Sequence, residues 1–228
     1  MTIKEFSEGF DAMIASYAIS EKIAQEFFSF DEYEKSIFLT KAQEEIVKSL
    51  YTDSFEKTEA VRRQLSTLVK EKSSLLTCIK KEDSYYHAVV PLEGDTWFII
   101  YEQVISNVSD TKCESSLLMD VYPITHDEYH KIRKNPFRGP NKRRVLRLDE
   151  GKDVELIGVL VLSKYIVRYL SKPSPIILED LTDTSLKINE QSTAMTCSLP
   201  SSIHQEILSR AVQLAIASRN IMNNNSNQ

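Results

Sequence analysis

The hydrophobic spacing changes twice along this chain, dividing it into three stretches that must fold differently. Near the start, Ile3, Phe6, Phe10, Met13, Ile14 and Tyr17 recur at steps of three and four, so they share one face of an amphipathic helix. From about residue 74 the texture becomes short β-branched and aromatic runs between polar turns, as in Trp97 to Ile105 and Leu117 to Tyr122, which is strand patterning. After Pro200 the helical spacing returns in Ile203, Ile207, Leu208, Ala211, Leu214, Ala215 and Ile221. Helices, then strands, then one closing helix predict an α+β fold.

Local signals place the elements. A restart is expected at Ser20-Glu21. Thr40 and Gln43 have capping-box spacing and predict a helix start at Thr40, and Asp53 with Glu56 predicts a third helix through Leu68. Strands are expected at Leu75 to Ile79, Tyr85 to Val90, Trp97 to Ile105, Leu117 to Tyr122, Arg143 to Leu148, Val154 to Val161 and Tyr165 to Leu170, forming an antiparallel region. Glu93-Gly94-Asp95 reads as a hairpin turn and Asn107 to Lys112 as a connection. One helix interrupts the strands near 125–134: Thr125 and Glu128 have capping-box spacing, Ile124 and Tyr129 suit a hydrophobic staple, and Asn135-Pro136 stops it. Prolines 173 and 175 force an extended segment. The expected organisation is a helical region 1–72, a strand-rich region 73–199, a closing helix 200–222 packed on the N-terminal helices, and a disordered polar tail 223–228.

Composition removes several function classes. Five glycines in 228 residues leave no G-x-G-x-x-G and no P-loop. No apolar run approaches the ~18 residues of a membrane span, and the N-terminus lacks the basic head and apolar stretch of a signal peptide, so the expectation is a chain that stays in the cytoplasm where it is made, with no membrane partner. Cys78, Cys113 and Cys197 are widely spaced without a C-x-x-C, supporting free thiols and neither a disulfide framework nor a zinc ribbon.

Three constellations could carry chemistry. His126 and His130 share a helix face at metal-chelating spacing, but Asp127 and Tyr129 occupy the positions where the metalloprotease helices carry glutamate; an acidic pair complementing the helix dipole explains the segment without a ligand. Cys113 or Cys197 with His87, His126, His130 or His204 could form a nucleophile and base, yet no nucleophile elbow accompanies them. The third is a basic cluster, Arg133, Lys134, Arg138, Lys142, Arg143, Arg144 and Arg147, in a chain of net charge −5. Contact with an acidic face of a neighbouring subunit, a solvated strand edge protected by its charges, and contact with DNA phosphate all remain open. Nothing here has the spacing of a catalytic or cofactor site, and no enzyme activity, cofactor or metal is expected.

The segments Tyr122 to Tyr129 and Asn135 to Arg144 resemble virion structural proteins of the crAss-like phages. So do Arg168 to Leu178 and the stretch from Cys197 to Leu199 through His204, Glu206-Ile207-Leu208 and Ala211-Val212. The resemblance covers most of the chain from about residue 34. It implies a ring protein of the head-to-tail connector, similar to the tail tubular or adaptor proteins of podovirus-like phages. Such a protein closes as a dodecameric ring, docks below the portal protein, touches adjacent ring or tail proteins and passes genomic DNA through its channel without sequence-specific contact. It would reside in the virion at the head-tail junction or tail, after synthesis in the cytoplasm of a bacterial host. Under that reading Arg138, Lys142, Arg143, Arg144 and Arg147 are subunit or DNA contacts. The alternative, from the basic 133–147 loop alone, is a phage-encoded DNA-binding or regulatory protein.

Overall fold

The computed structural model describes residues 1–20, 29–52, 58–80, 85–110, 113–181 and 186–225. The chain is α+β and divides into two units, one formed by residues 1–68 with 172–228 and the other by 69–171. The second unit is therefore inserted in the sequence of the first, and residues 172–199, expected with the strands, fold with the helices.

The helical unit is built from α1 (Ile3–Ser20), α2 (Glu32–Thr52), α3 (Glu59–Leu65) and α5 (Ser201–Asn225). Two capping boxes open its first helices. Thr2 Oγ1 accepts from the Glu5 amide while Glu5 accepts from the Thr2 amide, and Asp31 and Glu34 exchange the same pair of bonds, which satisfies amides that a helix start leaves unpaired. Thr58 caps α3 by accepting from the Val61 amide; the Asp53 and Glu56 expectation lies outside the described residues, as does Glu21. Phe6, Phe10 and Ile14 of α1 are buried, as are Leu39, Ala42, Ile46 and Val47 of α2 and Ile203, Ile207, Leu208, Ala211 and Ala215 of α5. Phe6 meets His204 with ring centroids 5.3 Å apart. The helix α5 continues through Asn225, beyond the expected stop near 221; residues 226–228 of the expected disordered tail lie outside the described residues.

Thr40 is not a helix start. It sits in the middle of α2, where Ser36, Thr40 and Gln43 fall on one face. They hold the extended segment 173–178, whose two prolines leave it short of ladder donors. Thr40 Oγ1 donates to the Ile176 carbonyl at 3.2 Å and accepts from the Ile176 amide at 3.0 Å. Ser36 Oγ accepts from the Leu178 amide at 3.0 Å, and Gln43 Nε2 donates to the Ser174 carbonyl at 2.7 Å. On its other side the strap makes a two-bond bridge from Ile177 to Met195. Lys35 is buried at 4% exposure and bridges Asp11 of α1 and Glu32.

The inserted unit is an eight-stranded sheet: β1 (Val69–Leu75), β2 (Ile79–Lys80), β3 (Tyr86–Pro91), β4 (Thr96–Asp110), β5 (Cys113–Pro123), β6 (Arg144–Glu150), β7 (Asp153–Gly158) and β8 (Lys164–Ser171), in the order β1-β8-β4-β5-β6-β7-β3-β2. It curls so that Ala88, Val90, Val104, Met119, Val145, Val154, Leu156, Tyr165 and Val167, drawn from six strands, share one core. The expected strand at 75–79 resolves into the end of β1 and the short β2. Glu93 to Asp95 is a turn, with the Thr96 amide bonded to the Glu93 carbonyl, but it joins β3 and β4, which are not neighbours, so it is no hairpin. β4 runs through Asp110 and β5 starts at Cys113, taking in most of the expected connection. Gly151, at φ +69°, makes the β6–β7 hairpin turn.

One pair departs from the antiparallel rule: β5 and β6 are parallel, with Asp120 opposite Arg144 and Pro123 opposite Arg147. A parallel pair needs a crossover. Here it is α4 (His126–Ile132) and the loop after it. Ile124, Tyr129 and Ile132 pack on a second cluster of Leu146, Leu148 and Ile157 on the outer sheet face. Thr125 is the N-cap residue by backbone geometry but makes no side-chain cap bond, so the expected box is not formed. Its hydroxyl and the local amides instead hold the Asp127 carboxyl below the usual carboxylate range.

Candidate functional site

The crossover loop from Arg133 to Arg143 carries most of the basic cluster, and its shape is fixed locally. Asn135 Oδ1 accepts from the amides of Phe137 and Arg138 at 2.9 and 3.2 Å, while its carbonyl accepts from the Gly139 amide at 2.7 Å. A Cβ on Gly139 would lie 2.7 Å from the Asn135 carbonyl oxygen and 3.0 Å from that of Arg133, so only glycine allows this closure. A second turn follows, in which Asn141 Oδ1 accepts from the Arg143 amide at 2.8 Å and the Asn141 and Arg144 main chains pair. Arg144 Nη1 then reaches back to the Phe137 carbonyl at 2.6 Å. The result is a pre-shaped finger.

Phe137 stands at its tip, 85% exposed. Burying such a ring is worth roughly 2–3 kcal/mol, which makes Phe137 the candidate anchor of the finger. Sequence reasoning counted the cations around Phe137 and passed over the ring; an aromatic between Pro136 and Arg138 in a polar turn was the available signal. Beneath the finger, a cleft of about 330 Å³ is lined by Tyr122, Ile124, Ile132, Phe137 and Leu146, with Glu128, Arg138 and Arg144 at its margin.

The cations divide by environment. Lys134, Arg138, Lys142 and Arg143 are exposed. Arg133 and Arg144 are half-buried, each over an aromatic ring, Arg133 at 5.4 Å from the Tyr129 centroid and Arg144 at 4.5 Å from that of Tyr122. Arg147, expected as a subunit or DNA contact, is buried instead. It points into the curled sheet and pairs with Glu102 and Asp149, and Tyr165 donates to the free Glu102 oxygen at 2.7 Å. Strand alternation explains the reversal: Arg147 shares the inner face with Val145, and a charge placed there must be paired. Burial pushes the Glu102 carboxyl above its ordinary value, with Arg147 and Tyr165 pulling it back, and burial pushes the Tyr165 hydroxyl up as well.

Among the described residues, the side chains of the other constellations have structural partners. His126 Nε2 lies 2.9 Å from the Asp149 carbonyl and His130 stacks obliquely on Tyr129. Among the described residues no group of three or more His, Cys, Asp or Glu side chains could hold a metal ion. His87 pairs with Glu155 at 2.9 Å. His204 Nε2 lies 2.8 Å from the Leu199 carbonyl. Cys78 Sγ bonds the Leu162 main chain and Cys197 Sγ donates to Gln43 Oε1. Burial raises both thiols, which opposes the thiolate a nucleophile needs. The Cys113 side chain lies outside the described residues. No helix among the described residues is long and apolar enough to cross a membrane.

On the helical unit, α2 and α5 flank a groove of about 510 Å³ with Ile46 and Leu50 on its apolar wall, Ser49 and Ser209 beside them, and Glu45, Glu206 and Arg210 at the rim. Arg210 and Glu45 are ion-paired across it at 2.8 Å.

Two proteins of the Bacteroides phage crAss001 are similar to this chain over nearly its whole length. Its Ring protein 3 is 42% identical, covering 99% of both chains, and its Ring protein 4/5 is 32% identical, covering 95% of this chain and 93% of its own. The family model for phage tail ring protein 3/4 matches residues 1–227. A match spanning both units and the finger leaves no part of the described fold outside it, and the chain belongs to the phage tail ring protein 3/4 family of the crAss-like phages.

Proposed function

We propose that this chain closes as a homo-oligomeric ring, dodecameric if it mirrors the portal, in the head-to-tail connector of a short-tailed virion. It docks below the portal or on an adjacent ring, extends the DNA channel and joins capsid to tail. The observation that carries this reading is the end-to-end similarity to proteins named as rings. The structure supplies compatible parts: an ordered, basic, aromatic-tipped finger on the sheet unit, and a helical unit with an acidic-rimmed groove. Heterologous contacts between unlike patches generate rings when the rotation closes. A net charge of −5 suits a channel wall that DNA passes without adhering.

The test is the mass of the purified chain, alone and mixed with the portal protein of the same virus, followed by negative-stain imaging of any large species. Rings, or one copy added per portal subunit, support the reading. A chain that stays monomeric and ignores the portal overturns both the ring and its docking below the portal.

A further inference from the structure

We infer that the finger is the knob of the contact between copies, with Phe137 seated in the α2–α5 groove of the adjacent copy. This rests on the ring reading above and specifies the surfaces that make it. Three observations carry it. Phe137 is 85% exposed on a loop already ordered by Asn135, Gly139, Asn141 and Arg144, so docking costs little ordering entropy. The α2–α5 groove offers an apolar wall of Ile46 and Leu50 and a volume of about 510 Å³, ample for one aromatic ring and its flanking chain. The charges match, because exposed Arg138, Lys142 and Arg143 flank the knob while Glu206 rims the groove beside the Glu45–Arg210 ion pair. A knob on one part of the chain and a pocket on another allow head-to-tail contacts, which form a ring where the rotation closes.

In this geometry Phe137 supplies the buried anchor and the cations set approach and register. The rim ion pair between Arg210 and Glu45 leaves Glu206 as the carboxylate facing the incoming guanidinium groups.

Two measurements test the contact. Arg138→Cys and Ser49→Cys variants are prepared separately and mixed under the conditions in which the wild-type chain assembles, alone or on portal, then treated with a short bismaleimide. Cross-linked dimer from the mixture and from neither variant alone supports the contact; an assembled mixture giving none overturns it and leaves the ring reading standing. Independently, Phe137→Ala, with its fold checked by circular dichroism, raises the midpoint concentration for assembly by about tenfold or more. Arg138→Glu with Arg143→Glu does the same, and Glu206→Arg partly restores that pair. An unchanged midpoint in Phe137→Ala overturns the proposal. A wild-type chain that never assembles, with or without portal, overturns both the contact and the ring.

Discussion

The hydroxyl of Thr40 serves both main-chain polar groups of Ile176, accepting from its amide and donating to its carbonyl. Both residues are buried, so a main-chain group that loses this hydroxyl is cut off from water. Thr40→Val keeps the shape and removes both bonds. It should cost about 2–6 kcal/mol, because each of the two buried orphaned groups costs roughly 1–3. Thr40→Ser should cost less than about 1.5 kcal/mol. Urea unfolding of the two variants beside wild type measures the difference.

Replacement of Gly139 by alanine acts on the finger alone. The new Cβ meets three main-chain oxygens at 2.7 to 3.1 Å, none of which belongs to a flexible side chain. The expected result is faster amide hydrogen exchange across 135–144 with β6 and β7 protection unchanged, and a loss of assembly comparable to Phe137→Ala. Protection that stays uniform would show that the turn tolerates the methyl.

Arg147 and Glu102 form a buried pair that is costly to split. Arg147→Met should destabilise by about 3–5 kcal/mol at neutral pH, since it strands a buried carboxylate. Adding Glu102→Gln, which keeps an acceptor for Tyr165, should recover most of the loss. The pH dependence has a definite sign. The folded Glu102 carboxyl titrates above its ordinary 4.5, so folding favours the protonated form; that advantage is complete below pH 4.5 and is given up as pH rises through the folded value. Without Arg147 the folded value climbs further. The Arg147→Met penalty should therefore shrink as pH falls toward 4.5, read from denaturant midpoints across pH 4.5–8.

DNA retention should be weak and salt-limited. Lys134, Arg138, Lys142 and Arg143 are the exposed members of the basic cluster. Four neutralised phosphates give a slope of log affinity against log salt no steeper than about −4. Filter retention of duplex DNA between low and physiological salt checks this, and a steeper slope or tight binding at physiological salt would favour the DNA-binding reading.

The elements with sustained apolar spacing were readable in the sequence: α1, α5 and β5 through β8 stand within a few residues of expectation. Charged β1 was not, because Lys70, Glu71 and Lys72 show no alternation on a largely exposed strand. Thr40 misled for a physical reason. The residue types that cap a helix start are those that satisfy any stray main-chain group, and spacing alone does not say whether the group is the helix's own or a strap's. The true start at Asp31 and Glu34 carries the same spacing, with a carboxylate at both positions. The parallel pair was unreadable because strand texture does not encode direction. At the site, the cations were visible in the sequence, but which were exposed was not: Arg143 precedes β6 in the turn held by Asn141 and faces solvent, whereas Arg147 lies within β6 on its inner face.

The split of the helical unit across the sequence also sets a clock on biogenesis. Thr40 and Ile176 are 136 residues apart, so at ~5–20 residues per second the ribosome needs about 7–27 seconds after adding Thr40 to deliver Ile176 of the strap, and longer for α5. Throughout that interval α1 and α2 have emerged with Phe6, Phe10, Leu39 and Ile46 uncovered, while the whole sheet unit is synthesised and is free to fold. Its two ends enter and leave as paired neighbours, Val69 opposite Leu170, so once the sheet closes, the strap emerges beside the point where the helical half was left waiting. Sheet closure is thus a timing step for the helices, and the interval before it is when a nascent chain most needs protection from premature association with its sister copies.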